Sequence, residues 1–91
     1  MAMRLPTIEE LDAAAKIVHA VVPPTPQYAW PLLGERTGGT LWIKHENHTP
    51  IGAFKIRGGL TYFSQLRDFD PYCAGVITAT RGNHGQSVGL A

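Results

Sequence analysis

The sequence has little of what marks secreted, membrane-bound or nucleic-acid-binding proteins. Its 91 residues include one cysteine, Cys73, so no internal disulfide can form. The amino terminus MAMRLPTIEE turns acidic before an apolar stretch of signal-peptide length, and no run approaches the roughly 20 apolar residues that cross a bilayer. A net charge of +1 with 16% charged residues gives no strong basic face. We therefore expect a soluble, cytoplasmic protein without a membrane or nucleic-acid partner.

Several common ligand-binding motifs are also missing. Neither G-x-x-x-x-G-K-[ST] nor G-x-G-x-x-G occurs, which excludes nucleotide binding through those loops. His45 and His48 lie where a strand runs into a loop, and no cysteine or carboxylate completes a metal-ligand set at known spacing. The tripeptide Arg57-Gly58-Gly59 occurs once, which does not support an RNA-binding tract. We predict no metal site.

The first half of the chain predicts a helix, a connector and a strand. Thr7 and Glu10 form a capping-box pattern, and apolar residues then follow at helical spacing until Pro23-Pro24. The predicted buried stripe contains Ile8, Leu11, Ala15, Val18 and Val22. A proline-rich connector follows, with one helical turn near residues 32–36. A strand over residues 40–46 then begins after a Gly-Gly turn.

The second half predicts two helices around a buried strand. A helix over residues 54–66 contains Gly58 and Gly59, each of which costs about 1 kcal/mol relative to alanine, so we expect another backbone to approach closely there. The run AGVITAT, residues 74–80, is apolar and β-branched without alternation, as in a parallel strand covered on both faces. A further helix begins in RGNHGQSVGLA. The fold class is therefore α/β, and we expect the front piece of a larger protein.

Two short stretches could carry chemistry. Lys55 stands near a helix start, where the helix dipole and the apolar neighbours Phe54 and Ile56 would lower its pKa and favour a neutral, nucleophilic amine. The alternative is a surface lysine with its charge in water. In TATRGNHGQ, Gly82 permits a turn before a helix whose free N–H groups suit a carboxylate or phosphate, and Asn83 adds an amide. The alternative is a plain strand-to-helix loop.

Together, KHENHTPIGAFKIRGG and TATRGNHGQS resemble the two N-terminal signatures of the fold-type II pyridoxal-phosphate enzymes, in the branch of threonine dehydratase and serine racemase. The resemblance implies the N-terminal fragment of a two-domain, tryptophan synthase beta-like enzyme. The large domain would run to about residue 67, and residues 68–91 would start the small domain, which separates the two predicted strands. The family's phosphate loop and C-terminal part lie outside this sequence.

The resemblance also implies a role for particular residues. Lys55 would form the Schiff base with pyridoxal 5'-phosphate, Phe54 would lie against its ring, and Asn83 would hydrogen-bond its 3′ oxygen. Gln86 would help shape the neighbouring loop. The substrate carboxylate would bind the backbone N–H groups of a loop made of Thr80, Arg81, Gly82, Asn83 and His84.

The implied activity is that of an ammonia-lyase, or dehydratase, acting on a hydroxy amino acid such as threonine or serine. Substrate displaces Lys55, the freed amine removes the Cα proton, and loss of the β-hydroxyl leads to a 2-oxo acid and ammonia. We expect a homo-oligomer for the full-length protein and no activity from the fragment alone. Alternatives are a racemase, a β-replacement enzyme, or a non-catalytic binding module that retains part of the fold.

Two positions depart from the family pattern. Ala53 stands where the family usually has serine, which removes a hydroxyl beside Lys55. Arg81 takes the position of the serine that supplies a proton in serine racemase, and a guanidinium cannot lend a proton at neutral pH. Racemisation is therefore disfavoured, and we expect Arg81 to bind a substrate carboxylate instead.

Overall fold

A computed structural model describes residues 3–91. In this part of the chain the helices are α1 (Ile8–His19), α2 (Pro31–Thr37), α3 (Lys55–Phe69) and α4 (Asn83–Leu90). The strands are β1 (Gln27–Ala29) and β2 (Trp42–Lys44), and a short 3-10 helix spans Glu46–His48. None of the helices in residues 3–91 combines the length and the hydropathy of a membrane-crossing segment.

The predicted capping box of α1 is confirmed. The Thr7 hydroxyl accepts a hydrogen bond from the Glu10 N–H at 3.2 Å, and the Glu10 carboxylate accepts one from the Thr7 N–H at 2.8 Å. The buried stripe is confirmed only at its end, since Val18 is buried while Ile8 and Leu11 are exposed. The reason is that α1 meets the core of the protein only through its last turn.

The predicted strand after the Gly-Gly turn is confirmed over Trp42–Lys44, and it pairs with a strand that the sequence did not predict. β1 and β2 run antiparallel, with Gln27 opposite Lys44 and Ala29 opposite Trp42. Helix α2 connects them and extends the predicted turn to seven residues. It starts at Pro31 and ends at Gly38, whose φ of 74° is the left-handed conformation that glycine adopts at helix ends.

The second predicted strand is wrong. Residues 74–80 form neither helix nor strand, and all of them are exposed, with Ile77 at 99%. A strand of a parallel sheet needs a hydrogen-bonded neighbour and a cover on each face, and no segment within residues 3–91 pairs with this one. The apolar run therefore lies on the surface without regular secondary structure.

The core is small and lies between α1 and α3. Val18, Val22 and Ile56 form it, with Ile51 and Leu60 partly buried against it. Many other large apolar side chains are exposed, as expected when so short a chain encloses so little volume. The boundary near residue 67 between two domains stays a prediction.

Candidate active site

The segment before Lys55 is held by a buried threonine. The Thr49 hydroxyl donates to the Ala53 carbonyl oxygen at 2.6 Å and accepts from the Ala53 N–H at 2.9 Å. Between them, Gly52 has a φ of 72°, a left-handed conformation that side chains disfavour. This closed turn delivers the chain to Phe54, the N-cap of α3, and makes Lys55 the first residue of the helix.

An ion-pair network ties the first turn of α3 to the end of β2. The Arg57 guanidinium donates two hydrogen bonds to the Glu46 carboxylate, at 2.7 Å and 3.0 Å. The Thr25 hydroxyl also donates to Glu46, and Lys44 donates to Thr25 at 2.7 Å. These partners, Arg57 foremost, lower the pKa of Glu46 from 4.5 to about 2. The carboxylate therefore stays ionised and fixes α3 against the hairpin.

Helix α4 packs on the opposite side of α3 at Gly59. A Cβ added at Gly59 would overlap the Ser87 hydroxyl and would lie 3.3 Å from the Ser87 carbonyl oxygen. The close approach predicted for the glycine pair is thus confirmed at Gly59. It is wrong for Gly58, which has no atom within 4 Å of an added Cβ.

A groove of about 390 Å³ runs between α3, α4 and the irregular segment before α4. Its size is at the lower end of that found for small-molecule sites. Most of its wall is apolar, and its polar groups are few. The lining includes Lys55, Tyr62, Phe63, Ile77, His84 and Val88.

Lys55 lies on the wall of this groove but is exposed. Its amino nitrogen is 5.9 Å from the centre of the Phe54 ring, and Phe54 is itself 61% exposed. Ile56 is fully buried in the core and therefore does not cover the amine. The prediction that Phe54 and Ile56 remove the Lys55 amine from water is therefore wrong within residues 3–91.

The loop before α4 uses part of its hydrogen-bonding capacity internally. The Thr80 hydroxyl accepts hydrogen bonds from the N–H groups of Gly82, at 3.1 Å, and Gly85, at 3.0 Å. The N–H groups of Asn83 and His84 make no hydrogen bond within residues 3–91. Gly82 has an extended φ of 174°, so it does not supply a left-handed turn.

The predicted site residues fall into two groups. Lys55 and His84 share the groove, and the His84 Nε2 lies 3.0 Å from the Thr78 hydroxyl oxygen. The other predicted residues do not line the groove, and they are Phe54, Thr80, Arg81, Gly82, Asn83 and Gln86. Sequence reasoning missed Ser87, although the close approach that it predicted at the glycine pair pointed to a partner there. No group of three or more His, Cys, Asp or Glu in residues 3–91 could hold a metal ion.

Comparison with known proteins identifies relatives of this chain. It is 35% identical over 82 residues to the L-threonine dehydratase biosynthetic IlvA of Mycobacterium tuberculosis, covering 90% of this chain and 19% of that protein. It is 36% identical over 85 residues to the L-threonine ammonia-lyase of Thermotoga maritima, covering 93% and 21%. With the L-threo-3-hydroxyaspartate ammonia-lyase of Saccharomyces cerevisiae, the identity is 34% over 89 residues, covering 98% and 27%. The chain thus spans about a quarter or less of the length of these relatives.

No solved structure matches the chain. The family model described as pyridoxal-phosphate dependent enzyme matches residues 18–91, which include α3, α4 and the groove between them. This match confirms the resemblance and the cofactor predicted from the two motifs. The chain belongs to the family of pyridoxal-phosphate dependent enzymes.

Proposed function

We propose that residues 18–91 form the N-terminal part of the catalytic region of a pyridoxal-phosphate-dependent ammonia-lyase. Its substrate is a hydroxy amino acid such as threonine or serine, and its products are a 2-oxo acid and ammonia. The relatives named as threonine dehydratases and as threonine or hydroxyaspartate ammonia-lyases support this class of reaction. The observation that carries the proposal is that Lys55 lines a groove to which α4 also contributes.

The residues of the groove fit the ring end of the cofactor better than its phosphate. Lys55 supplies an amine, and Tyr62 and Phe63 supply an apolar wall for a flat ring. Two of the groove's hydroxyls are already engaged, since Thr78 contacts His84 and Ser87 donates to the Lys55 carbonyl oxygen. We assign the phosphate to the separate loop expected for the family, and the free N–H groups of Asn83 and His84 to the substrate carboxylate.

Within this proposal, Lys55 has two duties. Its amine would hold the cofactor by condensing with the aldehyde group, with loss of water, and after its release it would accept the proton from the substrate Cα. The bound cofactor supplies an electron-withdrawing ring that stabilises the negative charge left on that carbon. By the family resemblance, Phe54 would lie against the ring, and the Asn83 amide would donate a hydrogen bond to the 3′ oxygen.

The loop before α4 receives the substrate carboxylate. The N–H groups of Asn83 and His84 are free to donate within residues 3–91, and they stand at a helix N-terminus, which favours an anion. The Thr80 hydroxyl contributes by holding the loop through Gly82 and Gly85. The exposed guanidinium of Arg81 adds a positive charge beside the loop. Truncating it in the full-length enzyme, Arg81→Ala, raises KM for acidic substrates, and an unchanged KM removes Arg81 from the site.

The cofactor lysine is tested on the 91-residue chain itself. Pyridoxal phosphate is added, the adduct is reduced with borohydride, and the incorporated cofactor is counted by mass spectrometry. We expect about one cofactor per chain, a loss of most incorporation in Lys55→Ala, and little change in the control Lys16→Ala. Equal losses in the two variants would instead favour a non-catalytic module with unselective lysines.

The remaining parts of the proposal concern the full-length protein. A cytoplasmic location is part of this proposal, and light scattering tests the expected homo-oligomer. The disfavoured racemase and the β-replacement enzyme are separated from the lyase by a product assay. The lyase releases a 2-oxo acid and ammonia in equal amounts.

A further inference from the structure

One buried hydroxyl connects the two helices of the groove. Ser87 of α4 is only 2% exposed, and its hydroxyl donates a hydrogen bond of 2.8 Å to the backbone carbonyl oxygen of Lys55. The two residues are 32 positions apart in the sequence. A buried hydroxyl that is left without a partner costs about 1–3 kcal/mol, so this side chain holds its acceptor in place.

The contact between Ser87 and α3 depends on the glycine at position 59. Gly59 lies one helical turn after Lys55, on the same face, and an added Cβ there would overlap the Ser87 hydroxyl. The Ser87 carbonyl oxygen and the Ala91 Cβ would also lie within 3.4 Å of that added atom. α4 is therefore seated on the first turn of α3 because position 59 has no side chain.

The same contact sets the position of the loop that precedes α4. Asn83 and His84 lie four and three residues before Ser87, so all three residues share one side of α4. His84 lines the groove together with Lys55. A change in how Ser87 meets α3 would move this side of α4 relative to the lysine.

We propose that Ser87 is a positioning residue for the cofactor lysine. Its hydroxyl fixes the register between the first turn of α3, which carries Lys55, and the N-terminus of α4, which carries Asn83 and His84. Ser87 acts through the backbone of Lys55 and does not touch the cofactor. The proposal deepens the function proposed above and rests on it.

The first test compares how selectively the cofactor labels lysines. After reduction with borohydride, peptide mapping gives the ratio of labelled Lys55 to labelled Lys16 in the wild-type chain and in Ser87→Ala. We expect the ratio to fall about fivefold, the equivalent of one net hydrogen bond of about 1 kcal/mol. The control Ser64→Ala removes a hydroxyl from α3 that does not take part in this contact, and it leaves the ratio unchanged.

A wild-type sample in urea separates positioning from general loss of stability. The urea concentration is chosen so that this sample has the helix content of Ser87→Ala by circular dichroism. The proposal requires the Lys55 to Lys16 ratio to be lower in the variant than in this sample. Equal ratios in the two samples would overturn it.

Hydrogen exchange tests the same contact without the cofactor. In Ser87→Ala we expect the amides of Ser87 to Leu90 to lose about fivefold in protection relative to those of α1, by the same equivalence. Unchanged protection overturns the positioning role. If the variant does not fold, hydrogen exchange of the wild-type chain is measured at increasing denaturant concentration instead. The proposal requires the amides of α4 and those of the first two turns of α3 to lose protection at the same denaturant concentration. Loss at different concentrations contradicts it.

The two proposals fail in different ways. If the wild-type chain labels Lys16, Lys44 and Lys55 alike, then the proposed cofactor lysine is wrong, whatever hydrogen exchange shows. If Lys55 is labelled selectively and Ser87→Ala keeps that selectivity, then the positioning role alone is wrong.

Discussion

Residues 7–69 and residues 73–91 differ in where they find their stabilising contacts. In the first region, each element has its partners nearby: a capping box for α1, a paired strand for β2 and a core residue in α3. In the second region, α4 packs on α3, while the apolar run of residues 74–80 is exposed. Both regions expose large apolar side chains, but the first region contains its own core, whereas the second depends on α3 for its packing within residues 3–91.

The largest expected effect comes from replacing one isoleucine in each region by alanine. Ile56→Ala removes a fully buried side chain from the core and is expected to lower the free energy of unfolding by about 3 kcal/mol. The control Ile77→Ala removes the same atoms from an exposed site and is expected to change it by less than about 0.5 kcal/mol. Urea unfolding followed by circular dichroism measures both. A similar loss in both variants would mean that residues 74–80 are covered in solution, for example by a second chain.

Acid should weaken the first region through Glu46. Its pKa is about 2 in the folded chain, below the ordinary 4.5, so the folded state favours the ionised form. The resulting stability is present above pH 4.5 and is lost as the pH falls towards 2. Each pKa unit is about 1.4 kcal/mol, but the ion pair with Arg57 is partly open to solvent, and screening lowers the carboxylate's contribution to about 2 kcal/mol.

Neutralising this carboxylate gives the matched experiment. Glu46→Gln should lower stability at pH 7 and flatten the decline between pH 4.5 and 2, because the titrating group is gone. Glu35→Gln, on the exposed surface of α2, should keep the wild-type profile. The ion-pair account is contradicted if Glu46→Gln declines with pH as steeply as the wild type over that range.

A smaller effect comes from the two neighbouring glycines of α3, of which one contacts α4. Gly58→Ala should raise the free energy of unfolding by up to about 1 kcal/mol, because alanine favours the helix and the site is open. Gly59→Ala should lower it by about 1–2 kcal/mol, because the new methyl group displaces Ser87. Thermal unfolding of both variants measures the difference in sign. Stabilisation by both substitutions would show that α4 does not pack on α3 in solution.

The helices were predictable from the sequence because their signals are local. The capping box at Thr7 and the Pro31 and Gly38 ends of α2 act within one turn of each helix. Strand β1 was missed because its three residues between prolines and an aromatic carry no alternating pattern and depend on β2 for pairing. Residues 74–80 were wrongly predicted to form a buried strand. Their composition suits such a strand, but burial depends on other segments that pack on it, which local sequence does not show.

The candidate site shows the same division. The two motifs indicated Lys55 and the loop before α4, and Lys55 and His84 do share a groove. The contacts that hold the groove together were not predicted, since Ser87 reaches Lys55 across 32 residues and Arg57 reaches Glu46 across 11. Such contacts depend on how the elements pack, which residue spacing alone does not give.

The most direct test of the account is the distribution of reduced cofactor between Lys55 and Lys44. Both side chains are exposed, but Lys44 is tied to Thr25 and Glu46 on the hairpin, whereas Lys55 faces the groove. Peptide mapping after borohydride reduction is expected to find the cofactor on Lys55 in large excess over Lys44. Equal labelling of the two lysines would contradict the claim that the groove between α3 and α4 is a cofactor site.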